Sequence, residues 1–596
     1  MNSFRASFAL IVCASLVSAA VPPKPPAKKA DSTSSTVRRL MRGMTLRDKA
    51  AQLIIMPVYG EPSNRRSVNF KRYEHYVRDL RVGGLIVTGH SINGGIRNAE
   101  PFAMAALINH MQKMARTPLF VGADFERGAS MRVNSTTPWP YNMAFAAAQD
   151  LEGVRQEAAE TAREARALGV NWIFAPVADV NNNPDNPIIN IRSYSEDPQV
   201  VSKFVRAYIQ GAHSEKSSPI LVTAKHFPGH GDTAQDSHID LAKLDVDRDR
   251  LNAVELEPFR AAIGAGVDAV MTAHIAVPAL EPDNVPATVS HKILTGVLRG
   301  DLGFRGIVIT DAMDMQGLAA MFSNGEAAVR TFEAGTDVLL MPKKAEEAIG
   351  AIVNAVTSGR ITRRRLDESV ARVLSAKVQL GLYRKRLVNV EAVTDLVDQP
   401  EDEERAQEVA DHAVTLVYDR KDNIPLRRPE SACLITLAES RRSQQGLKLI
   451  EEVKRRTPNI ETVQADPSMS QTDLDQIRDK TSGCGQIIVA AYVSVAAYRG
   501  NVALAGLFPD FLNSLIAGKV PVTLVSLGNP YLARSFPNAM AYLTTYSPTQ
   551  TAEIALAKAL YGEMALTGKL PVSIPGIAKS GEGIQLPATR LPQKGF

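Results

Sequence analysis

The chain has 596 residues, too many for one ordinary core, so two or three domains are expected. Hydrophobic residues make up 45% and charged residues 22%, the balance of a globular protein and not of a disordered or fibrous one. The net charge is only +5, with no run of like charges, which argues against nucleic acid as a partner.

At the N-terminus, Arg5 precedes an apolar stretch over 8–17, and Val17-Ser-Ala-Ala20 supplies small residues for cleavage. Residues 1–20 therefore read as a secretory signal peptide, too short for a membrane span, and predict a periplasmic or secreted protein. Val12 is bulky, so lipidation at Cys13 is not expected. Residues 21–36 are rich in Pro, Lys and Ser and predict an extended linker. No later run reaches the apolar length of a transmembrane segment. Export leaves Cys433 and Cys484, each beside an apolar run. Two buried free thiols are expected, with one disulfide as the alternative in an oxidising compartment. Two cysteines are too few for a Cys-rich zinc module.

Over 37–390, β-rich apolar runs alternate with helical stretches. The runs are 53–59, 84–88, 119–123, 172–180, 220–224, 269–273, 307–310 and 338–341. Continuous apolar strands suit a parallel sheet covered on both faces. Val154, Ala158, Ala162, Ala165 and Leu168 recur at helical spacing, with Gly169 to end the helix. Eight such units predict a (β/α)8 TIM-type barrel, with an open doubly wound sheet as the alternative. In a barrel the chemistry lies at the C-terminal strand ends. Asp124 with Glu126, Asp179, Lys225 with His226, His274 and Asp311 all fall there.

A long helix is predicted over 364–382. The polar, acidic residues 391–404 read as a linker, and 405–596 as a second α/β sandwich domain. Its strands are predicted at 414–418, 433–437, 487–492, 522–527 and 541–545.

The densest polar segment is Lys225-His-Phe-Pro-Gly-His-Gly-Asp-Thr-Ala-Gln-Asp-Ser-His238, which holds three of the ten histidines. Pro228, Gly229 and Gly231 break any helix and place these groups on a loop after a strand. An Asp236–His238 dyad suits acid–base work, because the carboxylate fixes the ring tautomer. His226, His230, Asp232 and His238 alternatively offer zinc ligands, without the spacing of a helical zinc motif. An incidental surface loop is the third reading. Asp311 ends the apolar strand of Gly306-Ile-Val-Ile-Thr-Asp-Ala-Met-Asp-Met315 and is either a nucleophile at the barrel mouth or a helix cap.

The run from Lys225 to Thr233, followed by Asp236-Ser-His238, resembles the signature of glycoside hydrolase family 3, the β-N-acetylglucosaminidase branch. Further similar segments are 44–49, 121–127, 174–180, 191–198, 306–315 and 331–338. In the second domain, 568–575 looks like the family's closing strand. The resemblance implies Asp311 as nucleophile, His238 as general acid/base and Asp236 as its partner. It also implies Asp124, Arg132, Arg192, Lys225 and His226 as sugar-binding residues, with Asp179 in support. One departure stands out: the family continues Glu-Gly-Gly-Arg where this chain has Glu126-Arg-Gly-Ala129.

The expected activity is a retaining exo-β-N-acetylglucosaminidase, working through a covalent glycosyl-enzyme on a carbohydrate such as a peptidoglycan fragment. An ordinary imidazole titrates near pH ~6.5, so one His can serve as acid and then as base. A His in place of a carboxylate also removes a negative charge, which leaves phosphorolysis as a minor alternative. The other rivals are a β-glucosidase-type enzyme, a zinc-dependent hydrolase and a non-catalytic cell-wall binding protein. No dinucleotide or P-loop motif is present, and no metal or cofactor is expected.

Overall fold

The structure is a computed structural model, which describes residues 27–61, 64–92, 95–216 and 218–589. The signal peptide expected at 1–20, and the first part of the linker, lie outside the described residues. The second part differs from expectation: Ala27–Arg42 is a helix packed against the helix Arg363–Gln379.

Eight strands form the first sheet: β1 (Ile54–Tyr59), β2 (Gly84–Thr88), β3 (Phe120–Ala123), β4 (Trp172–Ile173), β5 (Leu221–Phe227), β6 (Ala269–Thr272), β7 (Ile307–Thr310) and β8 (Leu339–Leu340). Neighbours pair in parallel in chain order, and β8 returns to β1. A parallel bridge between Ile309 and Val338 joins β7 to the start of β8 and closes the ring. The (β/α)8 barrel therefore stands, and the open doubly wound sheet does not. All eight apolar runs became strands, but 172–180 shrank to two residues. The chain leaves the ladder at Phe174, and a cis peptide precedes Pro176. Inside the barrel, the Trp172 ring stands edge-on to Phe120 and Phe174, contacts worth about 0.5–1.5 kcal/mol each beyond area burial. The helix Leu151–Leu168 ends on Gly169 at φ 93°, a left-handed position that suits glycine.

Beyond the barrel, the segment read as a linker is shorter than its composition suggests. A helix, Pro400–Ala413, begins inside it, with Pro400 in its first turn followed by Glu401, Asp402 and Glu403. Acidic side chains at a helix N-terminus complement its dipole, so a helix start looks like a polar linker in sequence. The second sheet holds β9 (Thr415–Asp419), β10 (Ala432–Leu437), β11 (Glu461–Ala465), β12 (Gln486–Val493), β13 (Val522–Gly528) and β14 (Ala541–Thr544). Their order is β9-β14-β13-β12-β10-β11, with only β9 antiparallel to its neighbour. The free-thiol expectation is corrected here: Cys433 on β10 and Cys484 before β12 form a disulfide, with Cα atoms 6.0 Å apart. Parallel pairing of those two strands sets the cysteines side by side, which strand composition alone does not reveal. Segment 568–575 is not a strand. It runs irregularly over the barrel, where Ser573 donates from its N–H and hydroxyl to Glu196, both at 2.7 Å.

Candidate active site

The site is built at the C-terminal mouth of the barrel, from β3 to β7. Asp124 and Glu126 follow β3 and face the Lys225 ammonium on β5. Its Nζ lies 2.8 Å from Asp124 Oδ1 and 2.7 Å from Glu126 Oε1. Arg192, the last residue of a short turn of 3-10 helix, forks onto Glu126 through Nε at 2.8 Å and Nη2 at 2.7 Å. The planar guanidinium matches the carboxylate in this two-point contact. Arg132 lies 3.5 Å from the other oxygen of Asp124. Burial pushes the Glu126 carboxyl up, but the Arg192 and Lys225 cations beside it prevail and hold it well below the usual range. Burial likewise disfavours the Lys225 ammonium, yet Asp124 and Glu126 raise its pKa.

His226 is fixed from below. Its Nδ1 lies 2.7 Å from Asp179 Oδ2, its N–H donates to the same carboxylate, and Arg192 Nη2 lies 3.3 Å from its Nε2. Asp179 also accepts from the His230 N–H at 2.6 Å. His230 spends both ring nitrogens inside the loop, on Thr233 at 2.7 Å and Ser237 at 2.9 Å. Burial lowers its pKa to about 4. A neutral, doubly bonded His230 holds the loop's shape and has no lone pair to offer a metal. Asp232 turns instead toward Arg250 at 3.3 Å. Among the described residues, no group of three or more His, Cys, Asp or Glu side chains is arranged to hold a metal ion. The His226/His230/His238 zinc cluster considered from sequence is therefore not assembled.

The loop then crosses the mouth. Gly231 passes so close to the barrel backbone that a Cβ there would meet the Val180 carbonyl oxygen at 1.8 Å. Its far end is tied to the turn after β7: Gly317 N–H donates to Ser237 O at 3.2 Å, and Gln316 N–H to His238 O at 3.4 Å. This brings His238 to the strand end that carries Asp311. Asp236 is buried, and its Oδ1 accepts from the His238 N–H at 2.9 Å and lies 2.8 Å from His238 Nδ1. The dyad expected from sequence is thus formed, with the second ring nitrogen of His238 left for the mouth.

Asp311 takes its place through the ladder. Its N–H donates to Thr272 O on β6 at 3.1 Å, and one carboxylate oxygen accepts from Ala312 N–H at 2.7 Å. Burial would raise this carboxyl, but His226, His274 and His238 around it outweigh burial and keep it below the usual carboxylate range. Asp314, a turn on, goes the other way: burial and then the nearby Asp311 charge raise it. One half-buried, ionised carboxylate thus faces one half-buried imidazole across a mouth lined by Asp124, Lys225, Arg192 and His226.

All eight residues singled out from sequence lie in this region. Sequence reasoning underrated Glu126, placed only beside Asp124 at a strand end, which anchors both Arg192 and Lys225. It missed Tyr498 of the second domain, whose N–H donates to Asp236 Oδ2 at 2.9 Å. No local signal marks that residue, 262 positions away. Arg127, where the chain departs from the expected glycine, lies over the Tyr141 ring at 5.3 Å and donates to Ser130.

Comparison with known proteins places the chain in a family. Residues 45–376 match the glycosyl hydrolase family 3 N terminal domain. The chain is 31% identical over 553 residues to a beta-hexosaminidase A of Pseudoalteromonas piscicida, covering 82% of this chain and 90% of that one. It is 29% identical over 526 residues to a beta-N-acetylglucosaminidase/beta-glucosidase of Cellulomonas fimi, covering 84% and 89%. The solved family 3 beta-N-acetylglucosaminidase of a Paenibacillus strain superposes with a TM-score of 0.78 at 31% identity, over 89% of this chain and 98% of that one. The chain belongs to glycosyl hydrolase family 3 and is a glycoside hydrolase.

Proposed function

We propose that this enzyme is a retaining exo-β-N-acetylglucosaminidase in which Asp311 is the nucleophile and His238 the general acid/base. The observation that carries the reading is the Asp236–His238 dyad, tied by Gln316 and Gly317 to the strand end of Asp311. The names of the relatives support the acetamido sugar.

In the first step, protonated His238 gives its Nε2 proton to the glycosidic oxygen as an Asp311 oxygen bonds to the anomeric carbon and the glycosidic bond breaks. The aglycone leaves as an alcohol, and the sugar remains as an ester of Asp311. Neutral His238 then takes a proton from water, whose oxygen attacks the same carbon and frees the Asp311 carboxylate. Two inversions give net retention. The depressed pKa of Asp311 keeps it ionised for attack. Asp236 holds Nδ1 of the imidazole, so that Nε2 carries the transferred proton. Asp124, Lys225, Arg192, His226 and Arg132 bind the hydroxyls of the terminal sugar.

Export to the periplasm or beyond belongs to the same proposal. It is supported by the signal-like N-terminus and by the Cys433–Cys484 disulfide, a bond of oxidising compartments. Among the described residues, no helix is long and apolar enough to cross a membrane. A cell-wall fragment ending in β-linked N-acetylglucosamine is the substrate that such a location offers.

The test compares nitrophenyl β-N-acetylglucosaminide with the corresponding glucoside, using wild type, Asp311→Ala and His238→Ala. Asp311→Ala should abolish turnover while sugar binding survives. His238→Ala should lose most activity on poor leaving groups and recover with an activated one. Unchanged turnover in Asp311→Ala refutes the mechanism, and a strong glucoside preference refutes the acetamido assignment.

A further inference from the structure

The residues over 494–500 belong to the second domain, yet they end at the barrel mouth. The segment is held from behind by Glu439, which accepts from the Ser494 N–H at 3.0 Å, from the Ser494 hydroxyl at 2.6 Å and from Arg499. Further on, Val502 O accepts from Asn529 Nδ2 at 2.8 Å. At the tip stands Tyr498, in the left-handed region at φ 65°. A non-glycine residue there is strained, and such strain collects at functional sites.

Two contacts fix where Tyr498 lies. Its N–H donates to Asp236 Oδ2, the oxygen that His238 does not use. Its ring stands 5.2 Å from the His238 ring at 65°, an edge contact. Yet the residue is 62% exposed, so much of its surface is bare beside the imidazole. The phenol is pushed up by burial and then by the charges of Asp314, Asp236 and Asp311, so it lies within the field of the site. Ile239, the residue after His238, is also exposed and borders Gly500 of the same segment. An exposed aromatic and an exposed branched aliphatic thus flank the imidazole on its outer side.

A general acid must sit beside the glycosidic oxygen, so the group beyond that oxygen lies on the outer side of His238. We infer that Tyr498 is the platform for the leaving group: the second domain supplies the wall on which the departing sugar lies, next to the acid that protonates it. The negative face of an aromatic ring suits the C–H face of a pyranose. The inference rests on His238 being the acid, and it adds a residue that determines the aglycone side of the specificity. Without this segment the barrel would bind the terminal sugar and leave the second one unsupported.

The test uses the full chain as wild type, Tyr498→Ala and Tyr498→Phe, with two substrates. One is the β-1,4-linked disaccharide of N-acetylglucosamine, whose leaving group is a sugar. The other is N-acetylglucosaminyl β-fluoride, whose leaving group is an ion with no surface to stack. Tyr498→Ala should lose roughly 10-fold in kcat/KM on the disaccharide, mainly through KM. On the fluoride it should lose less than about twofold, because the sugar-binding and nucleophile residues are untouched. Tyr498→Phe should keep the disaccharide activity. An equal loss on both substrates, or no loss on either, overturns the inference. If the wild type works on glucosides instead, the acetamido assignment fails, and the same comparison with cellobiose and glucosyl fluoride still decides the role of Tyr498.

Discussion

Lys225 shows how much of this site is decided by single side chains. Its ammonium is nearly excluded from water and bridges two carboxylates, while Arg192 neutralises the second of them. Replacing it by Met removes the cation and leaves Glu126 with the Arg192 fork and Asp124 with only the longer contact to Arg132. Breaking a buried pair in this way costs about 3–5 kcal/mol, so Lys225→Met should unfold at a clearly lower urea concentration at neutral pH. The pH dependence has a definite sign. Both carboxyls are held below their ordinary values in the folded state. Their contribution is therefore present above the ordinary carboxylate range near pH ~4 and is lost as pH falls through the depressed values. The gap between wild type and Lys225→Met should narrow below about pH 4, and a gap that widens there would contradict the charge network. Most of this network was legible in sequence, because charged residues at the ends of apolar strands have few reasons to be there. Which carboxylate pairs with which cation was not, because strand ends 101 residues apart meet only when the barrel closes.

At the scale of the element, the His238 loop depends on what lies under it. Gly229, at φ 128°, packs so tightly on Glu255 that a Cβ would sit 2.8 Å from the Glu255 side chain. Glu255 is buried, accepts from Arg250 at 3.1 Å through one oxygen and has no partner for the other. Burial pushes its carboxyl up to about 7 against the pull of Arg250. A folded-state pKa above the unfolded one adds stability that is complete below the ordinary Glu value and lost as pH rises through 7. Wild type should therefore lose Tm between pH 5 and 8 relative to Glu255→Gln, whose amide keeps the shape without the titration. Parallel Tm profiles would refute this account. Elements also show where sequence reading stops. The stripe on Leu151–Leu168 was found, but Glu157, Glu160 and Glu164 on the same helix are buried as well. Glu160 accepts from the Trp139 indole at 2.8 Å, and Glu164 accepts from Thr137 and from the Asp398 N–H. Glutamate in a helix signals solvent, and only the packed partners reveal otherwise. The edge strand β11, half-exposed along four of its five residues, had no apolar run to announce it.

For the whole molecule, the question is whether the barrel is a unit by itself. Two observations say that it is not. Met143, Ala144 and Ala147 on the barrel helix Asn142–Ala147, with Ile191 beside Arg192, are buried in the core of the second domain with Leu532, Tyr546 and Leu570. Polar contacts repeat the message: Asn181 donates to the Tyr531 hydroxyl at 2.9 Å, and Ser195 donates to Pro571 O at 2.7 Å. Both come from the loops that shape the sugar site, since Asn181 follows Asp179 and Ser195 follows Arg192. Sequence placed a boundary near residue 400 but could not show this, because an apolar helix buries equally well against its own domain or another. A chain cut after residue 399 should therefore keep the eight strands but expose an apolar patch where the second domain sat. It should bind a hydrophobic dye, self-associate in size-exclusion chromatography and lose turnover, because Arg192 and the Asp236–His238 dyad lose the surfaces that hold them. Supplying residues 400–596 as a separate chain should restore some activity, since the interface joins preformed faces. A truncated barrel that stays monomeric and fully active would show that the second domain neither supports nor completes the site.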